Sequence, residues 1–313
     1  PTLARLLAQG AVRVGADAVK FQLVYADEIA TPDYLHYNLF RGLEMSREAW
    51  QQVVEVTKTG GLRIYFDVYG ERSLHDANDL RADGIKIHTT DFFNTRLVRS
   101  ALDMKIRVFL SLGGVNVNDL EEFLSFHQIT PNQQLCLMYG YQADPTPIEF
   151  TNLCRLVSLK KRFPDYSFGF MDHSEVASDA GVTLALIAIA FGACCVEKHI
   201  TLDRTLQLED YVSALSLEQF HEFVQQIRHF EKALGSDGLA LIPTELEYRQ
   251  KVMKVVVSNR KLRKGNVVRL DDVCLKRTSC QSLSSLHRIE QVVGHTLAVD
   301  VESNQEIKQE MIS

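Results

Sequence analysis

The fold of this chain is decided by residues 167–199, which read SFGFMDHSEVASDAGVTLALIAIAFGACCVEKH. A short apolar run at Ser167–Met171 is followed by a polar turn and by a segment of helical period at Asp179–Phe191. A second apolar run follows at Cys194–His199. Strand, helix and strand in this order predict a right-handed βαβ unit with two parallel strands. Such a unit brings the carboxyl ends of both strands to one edge of a sheet.

The same alternation of strand-like and helix-like segments extends toward the N-terminus. It predicts further strands at Ala18–Leu23, Arg63–Val68, Gly84–His88, Arg107–Leu112 and Gln134–Tyr139. The predicted helices include Thr2–Val14, Arg47–Thr59, Asp119–Phe126, Asn152–Arg162 and a final one at Leu217–Leu234. Because the chain opens on a helix with no strand before it, we predict a (β/α)₈ TIM barrel whose first strand lies upstream of Pro1. An open doubly wound sheet is the alternative, but the chain has no GxGxxG turn to favour it.

The sequence changes character near Val252, which indicates a second domain. We predict that the barrel spans residues 1–234 and that a linker containing Gly235, Gly238 and Pro243 spans residues 235–251. Residues 252–313 contain short strand-like runs and a Lys-Gly turn in place of long helices. They predict a small β-rich domain, marginally stable by itself, which would gain stability by packing on a partner surface.

The overall composition excludes several classes of protein. The formal net charge of -6 argues against nucleic acid as the main ligand, because phosphate backbones require clustered Lys and Arg. No apolar run is long enough for a membrane span, and no signal peptide is visible. The six cysteines show no CxxC pair and no metal-knuckle spacing, and most lie in apolar runs where a thiol behaves as a small hydrophobic group. These features predict a reduced, cytoplasmic compartment.

Two histidines, His173 and His199, end consecutive predicted strands. Neighbouring strands lie about 4.8 Å apart, so both imidazoles are within reach of one metal ion or one anionic substrate. Metal sites with two histidines and open positions are suited to Lewis-acid activation of a carbonyl oxygen. The alternative interpretation is that each histidine hydrogen-bonds a loop carbonyl or Asp172.

The lysines of the strands allow two chemistries. Lys20 and Lys86 can form a Schiff base if their pKa values are depressed, or can bind phosphate as fixed cations, and the sequence favours neither. Glu197 shares the face of His199 and can orient it or bind substrate. Lys198 should point to the opposite face, where we predict a salt bridge.

Other polar residues lie at strand ends or in loops that can cover a barrel mouth. They are Gln22, Thr89, Asp91, Ser111, Gln142, Asp144 and Asp210. Asp210 lies in the stretch LQLED, eleven residues past His199. Without further context, a solvated loop before the final helix is the better interpretation of Glu209 and Asp210.

Taken in order, several segments resemble the sialic acid synthase family. They are AVKFQ (18–22), GIKI (84–87), DPTP (144–147), LKKRFP (159–164), DHS (172–174), GACCVEKHITLDR (192–204) and SLEQF (216–220). The tail segment RKGNVVRLDDVCLKR (263–277) resembles the antifreeze-like, or SAF, domain of that family. The resemblance runs over nearly the whole chain, and its most specific parts are the DHS and EKHxTLD segments.

The resemblance implies a transferase, a synthase that forms a carbon–carbon bond. In that reaction phosphoenolpyruvate condenses with the open-chain aldehyde of an N-acetylhexosamine, which gives a nine-carbon 2-keto acid and phosphate. It further implies that the residues matching His173 and His199 hold a divalent ion, Mn²⁺ or Mg²⁺, which polarises the sugar carbonyl.

The same resemblance assigns roles to the other matching positions. Those that match phosphoenolpyruvate-binding residues are Lys20, Lys86, Thr89 and Ser111. Those that match residues near the amino-sugar acceptor and the metal are Gln22, Asp91 and Asp210, with Asp91 counted among the catalytic residues. The family pattern further implies a homodimer in which each antifreeze-like domain caps the barrel of the partner subunit.

The chain also departs from the family pattern. Met171 stands where a serine normally contacts phosphoenolpyruvate, and methionine has no hydrogen to donate. Gln142 and Asp144 replace an Asn and a Tyr before the PTP turn, and Lys254 replaces an arginine that reaches into the partner's barrel. We therefore expect an altered sugar acceptor, such as a diamino sugar leading to legionaminic or pseudaminic acid. A non-catalytic relative that binds sugar phosphate or acts as a scaffold, and a Schiff-base aldolase, are the competing hypotheses.

Overall fold

The computed structural model describes residues 1–131, 134–143, 145–178, 180–279 and 285–313. They form two compact units, Pro1–Gly235 and Ser236–Ser313. Outside the described residues lie Asp144, Asp179, which begins one of the predicted helices, and Cys280, which is one of the six cysteines.

The first unit contains a parallel sheet of seven strands that are neighbours in chain order. The strands are β1 Ala18–Gln22, β2 Arg63–Val68, β3 Gly84–Ile87, β4 Arg107–Ser111, β5 Leu135–Tyr139, β6 Ser167–Asp172 and β7 Val196–Lys198. All seven strands predicted between Ala18 and His199 are present. The largest difference is at the last one, which was predicted over Cys194–His199 and pairs with β6 only through its three central residues.

Helices follow or precede these strands throughout the unit. They are α1 Thr2–Arg13, α2 Ala26–Ile29, α3 Tyr37–Leu43, α4 Arg47–Thr59, α5 Glu71–Asp79, α6 Thr95–Asp103, α7 Val117–Phe126, α8 Cys154–Arg162, α9 Ala180–Ala190 and α10 Leu217–Phe230. The start of α10 is fixed by a capping box, in which Ser216 Oγ accepts from the Gln219 N–H and Gln219 Oε1 accepts from the Ser216 N–H. The predicted final helix is shorter than expected, because Glu231–Leu234 continues as a 3₁₀ turn.

The sheet is strongly curved, as side chains from distant strands demonstrate. Lys86 on β3 and Glu197 on β7 lie four strands apart, a separation of about 19 Å in a flat sheet. Their side chains nevertheless meet, with Lys86 Nζ 2.7 Å from Glu197 Oε1. Lys20 on β1 reaches the same carboxylate at 3.7 Å, although β1 and β7 are the first and last strands. The sheet therefore curls as in a (β/α) barrel, which confirms the predicted fold class. The eighth strand stays a prediction.

Alternate side chains of each strand serve two different cores. The outward side chains pack under the helices, as where Phe66 of β2 meets Trp50 of α4 with ring centroids 5.2 Å apart. The inward side chains fill the barrel lumen, where Phe109, Cys136 and Met138 form a buried cluster with Met171. This alternation is the ordinary period of two of a strand, and it places Lys20, Lys86 and Glu197 on the inward face, where their side chains meet.

The second unit begins with a helix, α11 Pro243–Val252, within the predicted linker. This helix was not predicted from the sequence, and the predicted domain bounds stay a prediction. Proline is favourable in the first turn of a helix, and Glu245 Oε2 accepts from the Ile242 N–H at 2.9 Å. Beyond α11, strands β8 Val255–Ser258 and β9 Val273–Lys276 pair antiparallel.

The β-rich part of the second unit has a separate apolar core. Its fully buried members are Val256, Leu262, Val268, Val273, Leu286, Val292, Leu297, Val301 and Ile307. Isolated bridges such as Leu262 to Val301 tie the short segments together. None of the described helices in either unit combines the length and apolar character that crossing a membrane requires.

Candidate active site

A cavity of about 770 Å³ opens at the carboxyl ends of the barrel strands. It is lined by Lys86, His88, Thr89, Ser111, Gly113, Gly114, Tyr141, Gln142, Ala143, Met171 and His173. The carboxyl ends of the strands are where (β/α) barrels carry their chemistry, because loops from several strands converge there. Five of the residues predicted from the sequence line this one cavity: Lys86, Thr89, Ser111, Gln142 and His173.

Below the cavity, two lysines and two carboxylates form a buried cluster. Lys20 Nζ donates to Asp67 Oδ2 and lies 3.7 Å from Glu197 Oε1, while Lys86 Nζ donates to the same Glu197 oxygen at 2.7 Å. Asp67 and Lys86 are almost completely inaccessible to solvent. Charges buried this deeply require partners, so the two carboxylates fix both ammonium groups in position.

The cluster determines the charge state of its members. Burial alone would lower the pKa of Lys20, but the adjacent carboxylates of Asp67 and Glu197 outweigh it and hold that pKa above its ordinary value. Burial alone would raise the pKa of Glu197, but Lys20 and Lys86 hold it well below the usual range. Lys20 is therefore a permanent cation. A Schiff-base lysine must be neutral when it attacks a carbonyl, so this environment argues against an aldolase built on Lys20.

The two histidines that end neighbouring strands face each other. The ring centroids of His173 and His199 are 5.1 Å apart. Nδ1 of His173 and Nε2 of His199 are buried, and neither has a hydrogen-bond partner among the described residues. The carboxylate of Asp172, which was the alternative partner, instead accepts from the Ser174 N–H and forms an ion pair with Lys198 on the other face of the sheet. Buried polar atoms without partners are rare in folded proteins and need a physical explanation.

A divalent ion would provide that explanation. Burial is the main cause that lowers the pKa of His173 to about 4, with the neighbouring His199 adding to it. Burial likewise lowers the pKa of His199, against the opposing effect of Asp210. Both rings are thus neutral near pH 7, which is the form that ligates metals. The residues present fit a metal through two imidazole nitrogens.

Asp210 is an acidic group close to His199. Its Oδ2 lies 3.9 Å from His199 Nε2, and its Oδ1 accepts from Gln142 Nε2. The backbone of Asp210 has a φ of 60°, an unusual conformation for a non-glycine residue. Asp210 therefore contacts His199 and Gln142 while its side chain stays one-quarter exposed, and its predicted role in the site stays a prediction.

One wall of the cavity combines two hydroxyls with a thioether. Thr89 Oγ1 and Ser111 Oγ share a hydrogen bond of 2.7 Å, and Met171 Sδ lies 3.8 Å from the same Ser111 oxygen. Met171 is only 4% exposed. A thioether is a weak acceptor and no donor, so this wall offers an anion fewer hydrogen bonds than a serine at position 171 would.

Asp91, Gln22 and Lys254 are the remaining predicted site residues that the structure describes. The carboxylate of Asp91 is bound within its own turn, by Thr90 Oγ1 at 3.0 Å and Asn94 Nδ2 at 2.9 Å. Gln22 ends β1 with an exposed side chain. Lys254 is exposed on the second unit. Their predicted roles stay predictions, as does that of Asp144.

Comparison with known proteins places the chain in a family. The NeuB family model matches residues 7–238, which is most of the first unit and well over half of the chain. The chain belongs to the NeuB family. The tail of this NeuB family member, residues 253–313, matches a second model, that of the chaperone for flagella basal body P-ring formation, which is SAF-like.

The NeuB family relatives include named biosynthetic enzymes. N,N'-diacetyllegionaminic acid synthase of Legionella pneumophila is 25% identical over 96% of this chain and 87% of that protein. Human N-acetylneuraminate-9-phosphate synthase is 26% identical over 87% of this chain and 74% of that protein. The crystal structure of a sialic acid synthetase from Leptospira borgpetersenii superposes with a TM-score of 0.72 at 24% identity, over 80% of this chain and 87% of the other. That superposition supports the barrel fold.

Sequence reasoning missed two residues of this NeuB family site. Asp67 is the buried partner of Lys20, and its signal was a lone charge at the end of the apolar strand RIYFDV. His88 follows β3 and lines the cavity, where burial lowers its pKa. Lys198 was assigned correctly to the opposite face. Its Nζ lies 3.0 Å from Asp172 Oδ2, and both side chains are fully buried.

Proposed function

We propose that this protein is a nonulosonic acid synthase. It would condense phosphoenolpyruvate with the open-chain aldehyde of an N-acetylhexosamine-type sugar and release phosphate. Membership of the NeuB family and the printed activities of its relatives support this reaction class. The observation that carries the proposal is the pair of neutral histidines, each with a buried nitrogen that has no hydrogen-bond partner among the described residues, next to a cavity that Lys86 and His173 line.

The lysine cluster and the hydroxyl wall would bind phosphoenolpyruvate. Lys86 is a cation at the floor of the cavity, and Thr89 and Ser111 present hydroxyls on its wall. Phosphate and carboxylate oxygens are acceptors, so ammonium and hydroxyl donors match them. Because Glu197 and Asp67 hold the lysines in place before substrate arrives, little side-chain ordering would remain to oppose binding.

His173 and His199 would hold a divalent ion, Mn²⁺ or Mg²⁺, which when bound supplies Lewis-acid activation of a carbonyl oxygen. The protein's own contribution at this point is to keep both imidazoles neutral and desolvated. Asp210, held by Gln142, would present its carboxylate to the hydroxyls of the sugar at the mouth of the barrel. A carboxylate accepts hydrogen bonds from sugar hydroxyls, so Asp210 and Gln142 together would determine which sugar binds.

The acceptor is the part of the proposal that this chain's own residues alter most. Gln142 occupies a position where the family pattern has asparagine, and its amide is committed to Asp210. With Met171 in the neighbouring wall, ordinary N-acetylmannosamine is a poorer fit than a modified relative. We therefore propose a diamino sugar of the kind that leads to legionaminic or pseudaminic acid.

The direct test is release of phosphate from phosphoenolpyruvate in the presence of Mn²⁺ and a panel of N-acetylated hexosamines and diamino sugars. We expect release that depends on both sugar and metal and that chelation abolishes. The variants His173→Asn and His199→Asn should each lose at least about 100-fold in rate, since a metal supplies several kcal/mol of charge stabilisation. His127→Asn is the matched control, because His127 also has a buried, unpartnered Nδ1 but lies in a different part of the barrel.

Two results would contradict the proposal. Binding of phosphoenolpyruvate without turnover across the sugar panel would favour the non-catalytic relative. Trapping of a pyruvate adduct by borohydride, with activity insensitive to chelators, would favour the Schiff-base aldolase.

We further propose that the protein is a homodimer in which the SAF-like unit caps the partner subunit's barrel, with Lys254 reaching the substrate. The SAF-like match and the exposure of Lys254 support this arrangement. Mass measurement by light scattering should give twice the chain mass. Lys254→Ala should then reduce turnover in the dimer, whereas Lys251→Ala, on the exposed surface of α11, should not.

A further inference from the structure

Four sulfur atoms meet in the barrel lumen, on the side away from the cavity. Cys136 Sγ on β5 lies 3.7 Å from Cys194 Sγ and 3.9 Å from Cys195 Sγ, both just before β7. Met138 Sδ on β5 lies 3.8 Å from both Cys136 Sγ and Cys195 Sγ. None of the three thiols is in a disulfide, and their sulfur atoms lie within 4.8 Å of one another.

These separations are those of a soft-metal site. Zinc bound by thiolates has metal–sulfur distances of about 2.3 Å in a tetrahedron, for which the edge between two sulfurs is about 3.8 Å. Four sulfur–sulfur separations among Cys136, Cys194, Cys195 and Met138 are 3.7 to 3.9 Å long. Cys136, Cys195 and Met138 are all at this distance from one another, so their sulfurs have the spacing of one face of such a tetrahedron.

The neighbouring strand is shaped to leave room for these sulfurs. Gly169 on β6 faces the cluster, and a Cβ placed on it would lie 2.5 Å from Met138 Sδ and 2.6 Å from Cys195 Sγ. Its φ is not among the positive values that favour glycine, so the backbone does not require glycine here. The space that glycine leaves is occupied by the thioether and one thiol.

Charge and access at the cluster also suit a cation bound by thiolates. A guanidinium nitrogen of Arg107 lies 3.9 Å from Cys194 Sγ, and a nearby cation favours the thiolate form of a cysteine. Cys194 is exposed, Cys195 is partly exposed and Cys136 is buried, so solvent reaches the cluster from the side of Cys194 and Cys195. Thiolate and thioether ligands select soft ions such as Zn²⁺ and Cu⁺ over Mg²⁺ and Mn²⁺.

We propose that Cys136, Cys194, Cys195 and Met138 form a second metal site, which binds one soft d¹⁰ cation inside the barrel, separate from the histidine pair. Each thiol that binds gives its proton to solvent as the metal–sulfur bond forms. The affinity for the metal therefore decreases as the pH is lowered. Cys195, Glu197 and His199 are every second residue along β7 and its two flanking positions, so their side chains share one face. This places the ion beneath the lysine–carboxylate cluster. Its role is structural, because it ties β5 to β7.

Cobalt(II) is the probe that distinguishes this site from the histidine pair. Titration of the full chain with Co²⁺ under reducing conditions should give a sulfur-to-cobalt charge-transfer band and intense tetrahedral d–d bands that saturate at one ion per chain. Cys136→Ser and Cys195→Ser should abolish the bands. Cys154→Ser, at an exposed thiol of α8, is the matched control and should leave them unchanged.

Competition with chelators then separates the two ions. Met138→Leu should lower the affinity for Cu⁺ at least about tenfold and change the affinity for Zn²⁺ by no more than about threefold. The reason is that a thioether is a soft ligand, which suits Cu⁺ better than Zn²⁺. If a serine variant fails to fold, labelling of wild-type Cys194 by a thiol reagent replaces it, and Zn²⁺ should slow that labelling at least about tenfold, since the bound thiolate is blocked.

Three results would overturn the proposal. They are cobalt spectra with only weak octahedral bands, charge-transfer bands that survive in Cys195→Ser, and thiol labelling whose rate Zn²⁺ does not change. None of these bears on phosphate release, so failure here and failure of the proposed synthase activity are distinguishable.

Discussion

Lys86 and Glu197, 111 residues apart in the chain, are joined in the barrel by a hydrogen bond of 2.7 Å from Nζ to Oε1. The same carboxylate lies 3.7 Å from Lys20 Nζ, so one glutamate on β7 organises lysines from β1 and β3. The contact crosses the lumen of the sheet. It connects the closure of the fold with the placement of the cations that would bind phosphoenolpyruvate.

Glu197→Gln should therefore weaken both stability and substrate binding. Removing one partner of a buried ion pair costs about 3–5 kcal/mol, and we expect about 2 kcal/mol here because the glutamate side chain is one-fifth exposed and an amide still accepts from Lys86. Urea unfolding measures this loss. Glu55→Gln, on the exposed face of α4, is the control and should leave the unfolding midpoint unchanged. Equal midpoints for the two variants would contradict the organising role of Glu197.

Met171→Ser should tighten the binding of phosphoenolpyruvate. The new hydroxyl lies beside Ser111 and adds a donor worth about 1 kcal/mol, so KM for phosphoenolpyruvate should fall about fivefold. Met171→Ala is the comparison, because it removes the same bulk without supplying a donor. A decrease of similar size in both variants would mean that space, and not hydrogen bonding, limits the pocket.

Asp210→Asn should affect the sugar and spare phosphoenolpyruvate. The carboxylate is held by Gln142 and lies 3.9 Å from His199 Nε2, at the mouth of the barrel. Loss of a hydrogen bond to a charged group should raise KM for the sugar about tenfold. Initial-rate measurements with each substrate varied in turn provide the readout, with Glu209→Gln as the neighbouring control. A rise confined to KM for phosphoenolpyruvate would contradict the prediction, because it would mean that Asp210 acts on phosphoenolpyruvate and not on the sugar.

Tyr25→Phe should change the stability of the protein at alkaline pH. Burial, with the hydrogen bond that Tyr25 donates to Asp76, raises the pKa of Tyr25 from 10.0 to about 12. A group with a raised folded-state pKa contributes stability that is complete below its unfolded pKa and is lost as pH rises through the folded value. Wild-type stability should therefore fall between about pH 10 and about pH 12. The fall should be shallower in Tyr25→Phe, whereas the exposed-residue control Tyr34→Phe should match wild type in urea unfolding at each pH.

Local patterns in the sequence were sufficient for much of the architecture. The strand at Arg63–Val68 and the helix at Arg47–Thr59 have the predicted bounds, because apolar period and caps act over a few residues. The adjacency of His173 and His199 also followed from the sequence, since consecutive parallel strands are neighbours. The helix Pro243–Val252 was missed because Gly and Pro nearby were interpreted as a linker, although proline is favourable at a helix start.

The sequence by itself thus determined the βα order, the family and the histidine pair, all of which rest on short-range patterns or on neighbouring strands. Only the tertiary structure decided which charges and sulfurs meet across the lumen. Asp67 and Glu197 enclose Lys20, and Cys136 meets Cys194, because the sheet curls and brings inward side chains from distant strands together. These contacts cannot be predicted from the spacing of the residues along the chain, because the curvature of the sheet depends on the packing of all the strands at once.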